Sequence, residues 1–372
     1  MKRDALLKSD ALSGYLLMIC AVVSLIMANV GFGETYLNFW NKPVLGHPFS
    51  MWINDGLMAV FFLLVGLEIK REFFIGELRS IKQAVLPVAA ALGGMLVPAT
   101  IYLAVNYGQS TVTGFGIPMS TDIVFVVGVL SLLGSRVPSS LKVFMLTLAV
   151  IDDVGAVIVI ALFYSSGIDL LYLLAALLVF VVMLWLNKAR KLDKIWVYMM
   201  LGIALWALMM TSGVHATLAG ILTAIAVPFR KGRIVNPSLK VAGWLHRPVY
   251  LLILPLFVLS NTAIVLQGAM LRNLFQPHAM GIIAGLLVGK PLGIVLLSWA
   301  VLVLGWAELP AQMTRKHLWG AGCLGGIGFT MSIFIATLSF ADPLMVDSAK
   351  IAILLASVAA AVLGGVLLVR QR

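Results

Sequence analysis

Twelve apolar runs follow one another through this chain, near 12–31, 52–69, 83–105, 114–134, 140–164, 169–187, 195–211, 214–228, 248–266, 278–303, 318–340 and 347–369. Nearly all reach the roughly 17–25 residues a helix needs to cross a bilayer, the eighth being short. With no water in the hydrocarbon core, each backbone N–H and C=O must be satisfied internally, which leaves helices or closed barrels. Barrel strands alternate polar and apolar residues over about ten positions; these runs do not alternate. Of the 372 residues, 62% are hydrophobic and only 11% charged, under half the charge usual for a soluble domain. The expectation is an all-α polytopic membrane protein: one integral membrane domain, 1–372, of about 12 transmembrane helices.

The formal net charge of +11 raises the question of nucleic acid, and the placement of the basic residues answers it. Lys2, Arg3 and Lys8 precede the first run. On the same side fall Lys70, Arg71, Arg79 and Lys82; Arg136; Lys188, Arg190, Lys191 and Lys194; Arg230, Lys231, Arg233, Lys240 and Arg247; Arg315 and Lys316; Arg370 and Arg372. The opposite loops hold Lys42, Arg272 and Lys350. This is the asymmetry of the positive-inside rule. It puts both termini in the cytoplasm and assigns the basic charge to topology, with no nucleic-acid partner. The first run is too long for a signal-peptide core. Cys20 and Cys323 lie in apolar runs with no CxxC spacing, so neither a bound metal, a disulfide framework nor a cofactor is indicated.

Against this background a few ionisable residues stand at membrane depth: Asp122 in the fourth run, Asp152 and Asp153 in the fifth, and Lys290 in the tenth. Asp55 and His215 lie near the outer ends of runs two and eight. Such residues face a cavity, a partner or an ion path. A static ion pair accounts for Lys290 with one aspartate, but one lysine does not neutralise three carboxylates. Asp152 and Asp153 sit about 100° apart on a helix, an arrangement that suits a small cation between them, or one carboxylate facing water and the other Lys290. Burial and mutual proximity make the ionised forms costly, so these groups can take up and release protons. Their oxygens hold protons or a hard cation, not both at once. That competition is the chemistry of a proton/cation exchanger.

Two runs carry breaks. In "GFGIPMSTDIVFVVGVL", Gly114, Gly116 and Pro118 precede Thr121 and Asp122; proline removes a backbone donor and disfavours helix at the preceding residue. In "GAGCLGGIGFTMSIFIA", five glycines crowd the first half. Close helix packing through small residues is a second reading of that run. Together, however, breaks at matching positions of two halves point to a midplane binding site in an inverted-repeat transporter. Runs three to five and ten to twelve form two triplets of opposite topology, each with its interrupted helix in the middle. The core repeats are then about 83–164 and 278–369, with spans 4 and 11 crossing at the midplane. Helix ends meeting there would carry partial charges of both signs, which Asp122 and Lys290 can offset.

The stretches "WINDGLMAVFFLLVGLEIKRE" (52–72), "PMSTDIVFVVGVLSLLGSRVP" (118–138), "LAVIDDVGAVIVIALFY" (148–164), "SGVHATLAGI" (212–221), "LILPLFVLSN" (252–261), "GLLVGKPLGI" (285–294) and "GGIGFTMSIFIA" (325–336) resemble, in order and along nearly the whole chain, the NhaA-type sodium/proton antiporters of bacterial inner membranes. That family is itself a known inverted-repeat fold, so the repeat argument is not independent of the resemblance. The resemblance implies an electrogenic, pH-regulated antiporter working by alternating access, with sodium or lithium leaving as two protons enter. It implies cation binding at Asp153, binding and proton exchange at Asp152, and Lys290 as the partner of Asp152. It places Asp122, with Thr121, at the helix crossing. It assigns the pH response to Glu68, Lys70, Arg71 and Glu72 at the inner mouth, and to His215, for which a structural histidine is the other reading. It implies no cofactor beyond the transported ions, a bilayer and a homodimer. Two departures bear on this. The loop "RKGRIVNPSLKVAGWLHRP" lacks the acidic residues of better-known members, leaving His246 to titrate near neutrality. The segment "ETYLNFWNKPVLGHPFS" is shorter than the family's external hairpin, which carries the dimer contact, so dimerisation stays open.

Three other readings fit parts of the pattern. A sodium-coupled symporter needs a roomier polar cavity. An intramembrane aspartyl protease needs a GxGD sequence, absent here. A channel suits free flow better than an occluded carboxylate pair.

Overall fold

The computed structural model describes residues 2–165, 167–230, 236–266 and 268–370. Of the basic residues in the loop pattern, Lys231, Arg233 and Arg372 lie outside these. The chain is almost wholly helical: α1 (Lys2–Asn29), α2 (Phe49–Ile75), α3 (Ile81–Val105), a 3₁₀ segment (Ser110–Met119), α4 (Ile123–Leu132), α5 (Ser139–Phe163), α6 (Leu170–Lys188), α7 (Ile195–Thr211), α8 (Leu218–Ala226), α9 (Pro237–Asn261), α10 (Pro277–Val303), α11 (Arg315–Gly325), α12 (Phe329–Ser339) and α13 (Pro343–Val369). Among the described residues eight helices are long and apolar enough to cross a membrane, and ten spans result if each of two bent pairs counts as one. Runs seven and eight form helices of 17 and nine residues. Run eight is shortened because the chain turns through Gly213, at φ 79°, before α8 begins. Lys350, expected in an outer loop, lies within α13 and pairs with Asp347 at 3.7 Å. Apolar side chains stand exposed along α6, Leu171, Leu174, Leu178 and Val181 among them, a surface only lipid satisfies. The chain is a multi-pass membrane protein.

The helices form two compact units. The first comprises the chain up to Gly33, Glu77–Ala156 and the chain from Asn261; the second comprises Glu34–Gly76 and Val157–Ser260. In the first, α3 and α10 pack so closely at Gly93 and Gly293 that a Cβ on either would strike the other's carbonyl. Lipid tails give helices no hydrophobic reason to associate, so small residues that let backbones touch supply the packing. In the second unit α2 and α8 meet in the same way, with Gly66 against Ala224 and Gly220 against the Ala59 carbonyl.

In the second unit the short segment before α2 closes as a two-residue antiparallel hairpin, Pro43–Val44 with His47–Pro48. Leu45 and Gly46, at φ 50° and 86°, form its turn, matching strand twist as primed turns do.

Candidate functional site

Both breaks occur in the first unit. The Ser110–Met119 segment and α4 meet at 44°, and α11 and α12 at 45°. Residues 120–122 are extended, so α4 starts afresh at Ile123 with Asp122 as its N-cap. The Asp122 N–H donates to the Ile327 carbonyl at 2.7 Å, joining one break to the other. Ser332 Oγ adds a second tie, donating to the Ile117 carbonyl at 2.7 Å.

Asp122 is buried and fully engaged. Its Oδ1 accepts from the N–H groups of Val124 and Phe125 at 3.0 and 3.1 Å. Its Oδ2 accepts from the Thr330 N–H at 2.9 Å and the Thr330 hydroxyl at 2.5 Å. One carboxylate thus serves the N-termini of α4 and α12, where backbone donors lack helical partners and the partial charge is positive.

The opposite polarity gathers around Thr121. The carbonyl of Gly325, last residue of α11, lies 2.9 Å from Thr121 Oγ1. Thr121 Oγ1 is also 2.6 Å from Asp152 Oδ2 and accepts from Lys290 Nζ at 2.7 Å. Its single proton can serve only one of the two acceptors at a time. Lys290 Nζ donates to Asp152 Oδ2 at 2.6 Å. The lysine therefore reaches the α11 terminus through the threonine, not directly as its charge alone suggested.

Local sequence explains how Lys290 arrives there. Pro291 has no N–H, so a carbonyl one turn earlier loses its partner, and α10 widens into a π-helical stretch over Gly285–Gly289. Such wide turns redirect side chains and recur at functional sites. Gly285 and Gly289 let this stretch pass against Pro118 and Pro98.

Asp152 and Lys290 are each 0% exposed and Asp153 only 2%. Asp152 Oδ1 has no hydrogen-bond partner among the described residues. Leaving such an atom unmade in the interior costs about 1–3 kcal/mol, more when charged. Asp153 is the next residue on α5, a step of about 100° round the helix. The arrangement can hold a small hard cation on carboxylate oxygens, or protons on the same atoms, with Lys290 as an internal counter-charge.

The remaining residues singled out in the sequence lie in the second unit. Lys70 Nζ donates to the carbonyls of Ala224, Ile225 and Val227 at 3.2, 2.9 and 2.5 Å, closing the C-terminus of α8. Arg71 pairs with its neighbour Glu72 at 2.9 Å; Glu68 lies one turn earlier on α2. A ring nitrogen of His215 stands 2.7 Å from the Tyr164 carbonyl. Thr330 was not picked out from the sequence, and Gly325 only as one of the five glycines at the second break. The signal available was a hydroxyl residue just after a glycine-rich break, where helix N-termini seek oxygen ligands.

The sequence matches the family described as Na+/H+ antiporter 1 over residues 4–368. A Na+/H+ antiporter NhaA of Dechloromonas aromatica is 50% identical over 359 residues, 96% of this chain and 92% of that protein. One from Cytophaga hutchinsonii is 48% identical over 358 residues, with the same coverage of each chain. One from Escherichia coli is 47% identical over 368 residues, 96% of this chain and 95% of that protein. Among solved structures, the sodium proton antiporter MjNhaP1 from Methanocaldococcus jannaschii at pH 8 aligns over 100% of this chain and 99% of that one, with a TM-score of 0.55 at 15% identity, a likeness of fold.

Proposed function

Because the chain belongs to the Na+/H+ antiporter 1 family, we propose that it exports sodium or lithium from the cytoplasm in exchange for protons, by competition for Asp152 and Asp153. The observation that carries this reading is Asp152: one oxygen held by Lys290, the other buried with no hydrogen-bond partner among the described residues. A cation arriving from the cytoplasm takes the free oxygen together with the Asp153 carboxylate. It weakens the hold of Asp152 on Lys290, and protons leave. Protons arriving from the other side neutralise the carboxylates and expel the cation. Competition of this kind needs no cofactor and no covalent step; sodium, lithium and protons are the substrates.

If two protons exchange for one monovalent ion, as the resemblance implies, each cycle moves net charge. The membrane potential then drives it at about 2.3 kcal/mol per charge per 100 mV. Alternating access follows from moving the half-helices at the two breaks, which Asp122 and Thr121 hold together. In this reading 83–164 and 278–369 are inverted repeats within a set of about 12 spans, and the half-helices cross at the midplane. The basic-loop pattern supports a bacterial inner-membrane protein with both termini in the cytoplasm. Glu68, Lys70, Arg71, Glu72 and His215 carry the pH response. The small hairpin before α2 is the candidate contact for a homodimer.

Everted vesicles from a strain lacking its own antiporters test the reading. With the lumen acidified by respiration, sodium or lithium collapses the pH gradient between pH 6 and 9, and potassium does not. No collapse at any pH, in vesicles containing folded protein, would replace antiport with sodium-coupled symport.

A further inference from the structure

A cavity of about 660 Å³ opens in the first unit between the start of α3, the start of α5 and the loop from α10 to α11. The basic-loop pattern assigns this end to the cytoplasm. Lys82 and Glu308, both exposed, and the buried hydroxyl of Thr147 are among its lining residues. Leu86 and Pro87 form part of its wall on α3.

From that wall the antiparallel contact of α3 with α10 leads toward Lys290. Gly94 lies against Ile294 and the Lys290 stem, and Gly93 against Gly293 and Leu297. One turn nearer the cavity, the same register brings Ala90 level with Ser298. Both are 0% exposed, and Ser298 Oγ has no hydrogen-bond partner among the described residues. It lies eight residues from Lys290, about 12 Å along the helix, and about one turn from the cavity wall. A buried hydroxyl without a partner is a place where proteins keep water.

We propose that Ser298 anchors a short file of water linking the Lys290–Asp152 pair to this cavity, and that protons leave the pair for the cytoplasm along it. The proposal rests on the antiport reading above. A proton given up by the pair protonates the first water, each O–H in turn passes one proton on, and one emerges in the cavity. No other bond changes. Sodium does not follow, because a single file gives an ion only its two neighbouring water oxygens and at most one hydroxyl, fewer than the several ligands a hard cation needs at once. Ser298 is a positioning residue for proton release, separate from the cation site.

The test compares Ser298→Ala and Ser298→Thr with the unmodified protein in reconstituted vesicles, measuring turnover at saturating sodium and the sodium concentration giving half-maximal rate. Ser298→Ala is expected to lower turnover about tenfold, as roughly 1.4 kcal/mol on a barrier does, to enlarge the slowing in D₂O, and to leave half-saturation unmoved. Ser298→Thr, which keeps the hydroxyl, restores turnover. Unchanged turnover in Ser298→Ala from pH 6 to 9 overturns the proposal. So does a loss that Ser298→Thr fails to restore and that half-saturation shares, since that is a packing defect. Asp153→Asn is run in parallel. If it still exchanges, the cation-site reading fails, whatever Ser298 does.

Discussion

Asp122 and Asp152 are both buried aspartates in one unit, and they are satisfied in opposite ways. Asp122 accepts four hydrogen bonds, three from the backbone N–H groups of Val124, Phe125 and Thr330 and one from the Thr330 hydroxyl. Asp152 shares one oxygen between Lys290 and Thr121 and leaves the other with no partner among the described residues. A carboxylate saturated by fixed dipoles has nothing to gain from a cation or a proton. One with a vacant oxygen and a displaceable counter-charge gains from either. The contrast separates charge that ties two helix breaks together from charge left able to take a cation or a proton, as the proposed exchange requires, although both residues look equally anomalous in an apolar run.

The sharpest way to break this contrast is to neutralise Asp152 and Asp153, the carboxylates proposed to exchange. Asp153→Asn is expected to abolish exchange, a loss of at least about 100-fold if, as proposed, its carboxylate oxygen is a ligand of a hard cation, while the protein remains folded. Asp152→Asn abolishes it or leaves a severe defect. Dye-reported collapse of the pH gradient measures both. Full exchange in Asp153→Asn would return the pair to a structural role.

A thermodynamic cycle on Asp152 and Lys290 sharpens it next. Removing one partner of a buried ion pair costs roughly 3–5 kcal/mol, because the other charge is stranded. Lys290→Met should therefore lower thermal stability in detergent markedly, and the double variant with Asp152→Asn should recover most of the loss. Additive effects would mean that the two charges are not energetically joined, despite standing 2.6 Å apart.

How much of this was legible in the sequence follows from cost. Asp122, Asp152, Asp153 and Lys290 stood out because an ionisable group at membrane depth is expensive and so cannot be incidental. Pro118 pointed to a disturbance before Asp122; it lies inside the 3₁₀ segment, and the 44° bend to α4 falls just after it. The partners were not legible. A threonine in an apolar run carries no penalty, so neither Thr330 nor the reach of Thr121 to both Gly325 and Asp152 announces itself. Nor does sequence say which carbonyls a lysine finds: Lys70, assigned to pH response by resemblance, lies on the C-terminus of α8. That run eight is short showed in its length; that a turn at Gly213 uses up its first residues did not, since hydropathy measures the length of a run and not where the chain turns.

Asp122→Asn tests the satisfied side of the contrast. The amide keeps one acceptor oxygen and turns an NH₂ toward N–H or O–H donors, leaving buried donors unmet at about 1–3 kcal/mol. Thermal stability should fall by that order. Exchange should fall as well, by up to about tenfold, because the two breaks lose a common ligand. The sodium concentration giving half-maximal rate should stay within about twofold, a shift worth under half a kcal/mol. A large rise in that concentration would place Asp122 among the cation ligands and dissolve the distinction.

The smallest expected effect carries the contrast to the lysines. Lys290 holds a carboxylate and a hydroxyl that a cation can claim, whereas Lys70 holds three carbonyls at a helix C-terminus. A cation there offsets the terminal partial charge, worth about 0.3–1 kcal/mol at a surface and up to ~2 kcal/mol when partly buried. Lys70→Met keeps most of the apolar stem and removes the three donors. It should cost stability within that range and leave exchange at neutral pH close to unmodified, unlike any change at Lys290. If Lys70 serves only as this cap, the variant's activity–pH profile keeps its midpoint. If the cap also reports pH, deprotonation releases the α8 terminus in the unmodified protein, and the variant, already released, shows a profile displaced or flattened on the alkaline side. Measuring that profile therefore decides whether a charge satisfied by fixed dipoles can still regulate, or whether regulation, like exchange, belongs to charges with a displaceable partner.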